Sequence, residues 1–270
     1  MRLSRKTVAS LSILALATTS SVRAGELSGS FSLDANSHFI SYGFDVWGAG
    51  GSPDWVFNPS LGIDYKINDN WSLSTGFWLD VNDNASDSFE VVETDVWLGA
   101  SYTAGMVTTS LTFQNWQYGG KSEEVLDLTI AFDTVLSPSL TLHKRLDGGA
   151  ARTFNQVPDP SPSDPDRKID GDIQLGGFNG TFAVLNLEHG VDLSDDFSIS
   201  FPFALGVALD EFHTKESGYG FASLGVQGSL ALSETTAFNF GATYYDTDDK
   251  VVGNAKDSFF TYNAGMSFSF

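Results

Sequence analysis

Apolar and polar residues alternate along most of the chain. In the final stretch, from Ser258 to Phe270, Phe, Tyr, Ala and Met occupy every second position, with Thr, Asn, Gly and Ser between them. A period of two is typical of a β-strand with two chemically different faces. The same period predicts twelve strands, which are Ser28–Trp47, Val56–Ile67, Trp71–Asn82, Phe89–Thr103, Met106–Gln117, Val125–Leu136, Ser139–Asp147, Ile173–Leu193, Phe197–Asp210, Tyr219–Leu232, Ala237–Asp246 and Ser258–Phe270.

The ninth predicted strand shows the pattern most clearly. Its apolar row runs without interruption from Phe197 to Leu209, opposite a row of small residues. Pro59 and Pro202 lie inside predicted strands, where each removes a donor from the hydrogen-bond ladder. We therefore expect a bulge at each proline.

The links between the predicted strands alternate between short and long. The short turns are residues 68–70, 104–105, 137–138, 194–196 and 233–236, and the longer links are Gly48–Trp55, Asp83–Ser88, Tyr118–Glu124, Gly148–Asp172, Glu211–Gly218 and Thr247–Asp257. A soluble sandwich has no reason to sort its turns by length onto one end. Bacterial outer-membrane barrels do so, with short periplasmic turns and longer extracellular loops.

Composition supports the same fold class. The chain carries 22 Phe, 8 Tyr and 6 Trp, yet only 18% of its residues are charged. These aromatics can face lipid if the predicted strands close into a barrel. We predict an all-β fold, a single antiparallel up-and-down transmembrane β-barrel of about 12 strands. Barrels of 8 or 10 strands are the alternatives if the weaker strands Ser139–Asp147 or Ala237–Asp246 fail to form.

The first 24 residues predict a secretory signal peptide. Arg2, Arg5 and Lys6 precede an apolar stretch, and Val22 and Ala24 stand at the small-residue positions of a cleavage site. This arrangement is typical of export signals, and the apolar stretch is too short to span a bilayer. The predicted domains are a signal peptide over residues 1–24 and a barrel over residues 25–270, located in the outer membrane of a Gram-negative bacterium.

The chain after the signal peptide is strongly acidic. Ten basic residues stand against 34 acidic ones, a formal charge of −24, and there is no cysteine. Such a charge argues against nucleic acid as a partner and favours cations. Without cysteine, the chain has neither disulfides nor thiolate metal sites. The expected partners are outer-membrane lipid and small hydrophilic solutes or cations, and no cofactor is expected.

Polar residues on the face opposite the aromatics are candidates for the lining of a lumen. Asp34 and His38 are expected on one strand face, as are His143 and Arg145. Lumen-facing polar residues either line a water-filled path or pair with each other and plug it, and the sequence leaves both open. The candidates are Asp34, His38, Asp64, Lys66, Glu93, Asp95, Asp127, Asp133, His143, Arg145, Glu188 and Asp210.

Large aromatics near the strand ends are candidates for the two belts at the membrane interfaces. We expect Trp71 and Tyr102 in the belt at the short-turn end, and Trp47, Trp116 and Phe260 in the belt at the long-loop end.

No motif indicates catalysis or a metal. Some twelve-stranded barrels of the outer membrane are phospholipases, which need a serine activated by a histidine. The four histidines, His38, His143, His189 and His213, lie in none of the sequence contexts that we associate with that family. The acidic segments 80–87, 164–172 and 246–249 do not fit the calcium loop, because the positions of its glycine and final glutamate are wrong. We therefore predict neither an enzyme nor a metal site.

A resemblance to a known family lies in the N-terminal third. Gly62, Asp64 and Tyr65 form a "G-x-D-Y" strand, and Gly76, Phe77 and Trp78 are followed by the acidic stretch Asp80–Asp83. This region resembles the amino-terminal part of the bacterial TorF-type porins. The Arg-Gly-containing motif of their first strand is missing here, where "ISYGFDVW" stands. The resemblance implies an outer-membrane barrel.

The carboxyl end carries a second resemblance. Tyr262, Phe268 and the final residue Phe270 alternate with small polar residues. They resemble the last-strand signal of outer-membrane proteins, which the barrel-assembly machinery recognises. The resemblance implies that machinery as a partner.

The function that these features predict is a porin-like channel for passive diffusion of small hydrophilic solutes, with a cation preference. The alternative is a non-conducting barrel, structural or binding a ligand or partner, whose extracellular loops form the functional surface. The proline-rich link Gly148–Asp172 is then the principal candidate.

Overall fold

The computed structural model describes residues 25–86, 88–150, 152–153 and 174–270. Within these residues, twelve long strands pair with their neighbours in sequence, and the last strand pairs with the first, so that the sheet closes into an antiparallel barrel. The strands are β1 (Glu26–Asn36), β2 (Val56–Lys66), β3 (Trp71–Asn82), β4 (Glu90–Ala104), β5 (Val107–Tyr118), β6 (Lys121–Phe132), β7 (Ser139–Asp147), β8 (Thr181–Asp192), β9 (Phe197–Ala208), β10 (Gly218–Ala231), β11 (Thr236–Thr247) and β12 (Ser258–Ser269). The predicted twelve-stranded barrel is confirmed.

The first predicted strand is shorter than the alternation suggests. β1 ends at Asn36, and Ile40–Ser41 and Phe44–Asp45 form a separate two-stranded hairpin. Tyr42 and Gly43 turn this hairpin with φ angles of 47° and 86°. A hairpin of such short strands keeps the apolar–polar alternation, so the pattern alone does not separate it from a longer strand.

Two predicted links also differ. Residues 118–124 are not a long loop, because β5 and β6 extend to a two-residue turn of Gly119 and Gly120, both with positive φ. Glycine pairs favour such tight hairpins. The eighth strand begins only at Thr181, since Gln174–Leu175 pairs instead with Arg152–Thr153. The predicted signal peptide and most of the link Gly148–Asp172 lie outside the described residues.

The prolines do not mark bulges. Around Pro59, β2 loses pairing with β3 but keeps it with β1, and the register is the same on both sides of the gap. Pro202 interrupts pairing with β10 in the same way. Each proline lacks the backbone N–H that would pair on one side of its strand. A bulge would need an extra residue in the strand, and neither site has one. The register shifts lie elsewhere, for instance at Asp80/Val81.

Apolar side chains cover the outside of the barrel. Trp71 and Tyr102 lie together at the short-turn end, with ring centroids 4.9 Å apart, and Tyr244 and Phe260 lie 5.1 Å apart nearer the loops. Other exposed outward residues include Leu73, Leu98, Leu111, Leu128, Leu185, Phe201, Leu224, Phe240 and Tyr262. An exposed apolar band on a closed barrel is a lipid-facing surface.

Two predicted belt residues face inward instead. Trp116 is buried, and Trp47 donates a hydrogen bond from Nε1 to Asp80 at 2.9 Å. In the part of the chain that the structure describes, no helix has the length and apolar character needed to cross a membrane.

Candidate functional site

The lumen has two zones that differ in lining and in packing. In the short-turn half, most inward positions hold Ser, Thr or Gly and keep partial access to solvent. Hydroxyl pairs 2.8–2.9 Å apart cross between strands along this wall, joining Ser32 to Ser60, Ser101 to Ser110, Thr103 to Thr108, and Thr129 to Thr141. This half is a hydrophilic vestibule.

The loop-end half is filled by the protein's own loops. We call residues 37–55, 209–217 and 248–257 the loop cap. Their apolar side chains pack with wall residues and with Leu175 of the link before β8 into one buried cluster. The cluster is formed by Phe44, Ala49, Leu175, Phe182, Val184, Ala208, Phe212, Phe221, Val251, Val252 and Ala255. The side chains of Phe212 and Val252 are fully buried. In this conformation the loop cap packs inside the loop-end half of the barrel.

The first loop of the cap is organised by a buried carboxylate. Asp45 Oδ2 accepts a hydrogen bond from the Gly50 backbone N–H at 2.9 Å. Burial raises the pKa of Asp45 to about 7, although backbone donors including Gly50 and Gly48 lower it and the charge of Asp54 raises it further. The carboxyl group therefore takes up a proton at a pH where an exposed aspartate is ionised.

The side-chain amide of Asn254 and a backbone hydrogen bond join the first and third loops of the cap. Asn254 Oδ1 accepts from the Asp45 backbone N–H at 2.8 Å, and Asn254 Nδ2 donates to the Gly43 carbonyl at 2.7 Å. The Ala49 carbonyl accepts from Ala255 N at 2.8 Å. Because these groups are buried, each loop satisfies polar backbone groups of the other.

The second loop is held from both sides. Thr214 Oγ1 donates to the Lys250 carbonyl in the third loop. On the wall side, Arg145 donates to the Phe212 carbonyl, and its guanidinium lies 4.0 Å from the centroid of the Phe212 ring. The third loop contains a short helix, α1 (Asp249–Val252), whose first turn is capped by Asp248.

A polar layer lies beneath the cap. Asp127 accepts from Gln114 Nε2 at 2.6 Å, and its other oxygen lies 2.7 Å from His143 Nδ1. Glu123 pairs with Arg145, and both side chains are almost fully buried. The Tyr42 ring, at the tip of the first loop, lies 4.4 Å from the His143 ring. The cap therefore rests on two acid–base pairs.

The predicted lumen residues fall into two groups. Nine occupy inward strand positions, and these are Asp34, Asp64, Lys66, Glu93, Asp95, Asp127, His143, Arg145 and Glu188. The other three lie outside the strands. His38 is buried in the cap, Asp133 lies in the exposed turn 133–138, and Asp210 is exposed, where it accepts from the Thr181 backbone N–H.

Of the two pairs of residues expected to share a strand face, one does and one does not. Asp34 and His38 do not share a strand face, because β1 ends between them, and Asp34 accepts instead from Ser32 Oγ at 2.6 Å. His143 and Arg145 do share the inward face of β7, each with its own acid. Lys66 pairs with Asp69 at 3.3 Å.

Sequence reasoning missed the residues that build the cap and hold it to the wall. Asn254, Phe212 and Asp80 are buried, and no local pattern distinguishes them from loop or strand residues. Asp80 accepts from both Trp47 and Asn58. The glycine-rich stretch 48–51 was a usable signal, because glycine permits the close packing of an inserted loop.

Ser37, His38 and Asp45 have the residue types of a hydrolytic triad but not its geometry. Ser37 Oγ lies 2.8 Å from His38 Nδ1, but His38 Nε2 is 4.0 Å from Asp45 Oδ2. The Ser37 side chain is fully buried, and its oxygen accepts from the Tyr262 backbone N–H at 2.8 Å. A nucleophile must reach a substrate. We assign these contacts to the packing of the cap.

Several acidic residues of the segments 80–87 and 246–249 form hydrogen bonds within the protein. Asp246 accepts from the Tyr219 hydroxyl at 2.7 Å, and Asp248 caps α1. Residues 164–172 lie outside the described residues, as does Asp87. Across the described ranges, no three His, Asp or Glu side chains are grouped so that they could hold a metal ion.

Comparison with known proteins gives the fold. No protein-family model and no curated protein matches the chain. Among solved structures, the COG4313 outer membrane channel from Pseudomonas putida F1 aligns with a TM-score of 0.53 at 9% identity, over 95% of this chain and 100% of that chain. The NanC porin aligns at 0.48 and 10% identity over 88% and 98% of the two chains, and the KdgM porin at 0.46 and 11% over 89% and 99%.

The likeness to the COG4313 channel shows that this chain has the fold of an outer-membrane β-barrel. The closed barrel and its apolar exterior agree with that class. The expected location in the bacterial outer membrane is confirmed.

Proposed function

We propose that the protein is a porin-like channel for passive diffusion of small hydrophilic solutes, closed on its outer side by a movable loop cap. The observation that carries the proposal is the change of lining along the lumen. A wall of hydroxyl groups suits hydrated solutes and is not needed for a barrel that is only a scaffold. The cap is the remaining obstacle to flow.

The inward charges support a weak cation preference. Asp34 and Asp64 occupy inward positions on the vestibule side of the wall, and Glu93 and Asp95 lie nearer the loops on β4. The basic Arg145 is already paired with Glu123. Carboxylates along a path raise the local concentration of cations.

Conductance in planar bilayers tests the proposal. We expect discrete steps that reflect opening of the cap, and in a salt gradient a reversal potential that indicates cation preference. The triple variant D64N/E93Q/D95N should lose that preference while its steps persist. An unchanged reversal potential would remove these three side chains from the conducting path.

A second candidate function is a non-conducting barrel that binds a partner through its loops. The buried cluster of the loop cap favours it, because closing apolar contacts stabilise a sealed lumen. The link Gly148–Asp172 is then the functional surface, although most of it lies outside the described residues. Absence of conductance steps in any salt, for protein shown to be inserted, would support this function and reject the channel.

Two finer assignments belong to the proposal. We retain the resemblance to TorF-type porins as a hypothesis of family. We also propose transport rather than catalysis, and this is supported by the inaccessibility of Ser37. Hydrolysis of a phospholipid or ester by the purified protein would contradict it.

A further inference from the structure

One sector of the lipid-facing surface is polar in its outer part. On β9 the outward row is apolar along the whole strand, from Phe197 to Val207. On β5 the outward residues Leu111 and Phe113 are followed by Asn115 and Gln117. Three of the four cross-strand neighbours of these amides are also polar, namely Thr94 on β4 and Ser122 and Glu124 on β6, and the fourth is Val96 on β4.

The polar residues lie where lipid headgroups begin. Asn115 is eight residues beyond the start of β5 at Val107. With a rise of about 3.3 Å per residue and a strand tilt of about 40°, it stands roughly 20 Å above the short-turn end of an apolar band that is about 25 Å tall. The sector is therefore at the outer edge of the hydrocarbon layer.

The same sector contains an open groove. It has a volume of about 550 Å³ and is lined by Val91, Thr94, Asn115, Gln117, Lys121 and Ser122 among others. Gln117 Nε2 donates to Asn115 Oδ1 at 2.9 Å. That bond orients the two side-chain amides and uses neither the Asn115 amino group nor the Gln117 side-chain oxygen, so both can bind a ligand. We call this feature the outer groove.

An apolar strip continues directly below the outer groove. Val96, Leu98, Leu111, Phe113 and Leu128 are all exposed on the outward faces of β4, β5 and β6. A polar groove above an apolar strip matches an amphipathic lipid, with its headgroup in the groove and its acyl chains on the strip. The groove offers amides and hydroxyls, which hydrogen-bond to sugar hydroxyls, and one ammonium, that of Lys121, for a phosphate.

We propose that the outer groove binds the saccharide headgroup of a glycolipid in the outer leaflet. Uncharged donors and acceptors dominate the lining, so sugar hydroxyls rather than phosphate charge determine recognition. A contact between two copies of the chain is the competing use of such a surface. The small extent of the polar surface, which spans three strands, favours a headgroup, because subunit contacts bury about 800 Å² on each partner.

Native mass spectrometry of the detergent-solubilised full chain tests the proposal. The probes are lipid A, a phosphorylated glucosamine disaccharide with acyl chains, and phosphatidylglycerol. We expect at least about tenfold stronger retention of lipid A, and a similar loss in the double variant N115L/Q117L. The control T109V changes an exposed outward residue near the opposite end of β5 and should bind as the unaltered protein does.

Folding is checked by heat-modifiable migration of each variant in gels, since only closed barrels migrate fast. Equal retention of both lipids would overturn the proposal. So would full retention of lipid A by a folded N115L/Q117L variant. Equal binding of soluble glucosamine 1-phosphate would assign the groove to a free sugar instead, and a dimer mass lost in N115L/Q117L would assign it to a second copy.

Discussion

The side chain of Asn254 donates a 2.7 Å hydrogen bond to the carbonyl of Gly43, 211 positions away in the chain. The side-chain oxygen of Asn254 accepts a hydrogen bond from the backbone N–H of Asp45 in the same loop as Gly43. Together with the backbone hydrogen bond from Ala255 to Ala49, this amide joins the first and third loops of the cap, which lie on either side of the pairing between β1 and β12.

Replacing Asn254 with alanine should loosen the loop cap. The variant leaves the buried Gly43 carbonyl and the buried Asp45 N–H without their hydrogen-bond partner. Each unsatisfied group of this kind costs about 1–3 kcal/mol of stability. We expect faster hydrogen exchange in residues 40–50 and more frequent channel opening. The control N70A removes an exposed amide contact to the Thr103 carbonyl at the other end of the barrel. Equal exchange in both variants would show that Asn254 does not hold the cap.

Cap stability should depend on pH through two carboxyl groups and a histidine, whose effects have opposite signs. The pKa of Asp45 is raised by burial to about 7, so its contribution is complete below about pH 4 and is lost as the pH rises to about 7. Burial raises the pKa of Asp54 in the same direction. Burial lowers the pKa of His38, so its contribution is complete above about pH 6.5 and is lost as the pH falls.

Single variants separate these two effects. In H38Q we expect the cap to close more firmly as the pH falls from 7 to 4, by at most about tenfold per pH unit in the closed-to-open ratio. In D45N we expect firmer closure at pH 7 than at pH 5. The measurement is hydrogen exchange of residues 40–50, corrected for the intrinsic rate at each pH. The same pH profile in both variants would refute the assignment.

Two glycines that face each other across β2 and β3 should tolerate substitution very differently. A methyl group at Gly76 would lie 2.1 Å from the Leu61 carbonyl and 2.2 Å from the Trp97 ring, whereas at Gly62 the nearest atom is 3.7 Å away. We expect G76A to destabilise the barrel by about 1–3 kcal/mol and G62A to change it little. Urea unfolding in lipid vesicles compares them, and equal midpoints would contradict the packing of Trp97 over Gly76.

The buried pair of Glu123 and Arg145 should be sensitive to loss of one partner. R145M leaves a buried carboxylate without its counter-ion, and we expect a loss of about 3–5 kcal/mol. The double variant E123L/R145M removes both charges and should recover most of that stability. Thermal unfolding in detergent measures both. A double variant as unstable as R145M would show that packing of Arg145 on Phe212 matters more than its charge.

Phe270 should matter more for insertion than for the finished barrel. Its ring is exposed to lipid, and its backbone makes two hydrogen bonds with Gly29 at 3.0 and 3.1 Å. F270A keeps these bonds, so we expect less protein in the membrane but nearly unchanged unfolding of the fraction that is inserted. Deletion of Phe270 serves as the comparison, since it also removes the backbone bonds. Equal loss of insertion and stability in F270A would count against an assembly role.

Several features of the site could be predicted because strand geometry is local. Alternation alone determines which side of a strand a residue occupies, so Asp64, Asp95 and Arg145 were placed inward from sequence. Their partners could not be predicted. Arg145 meets Glu123 only because β6 and β7 pair in one register, with a shift at Glu124/Val125.

The sequence by itself determined the barrel, its twelve strands and the two chemically distinct faces, because a period of two is a property of each strand and needs no distant contact. The tertiary structure decided that loops pack inside the outer half of the barrel. His38 and Trp47 continue the alternation of β1, yet they lie in a loop that folds inward. That loop is held by Asn254, and such a contact exists only once the last strand has paired with the first.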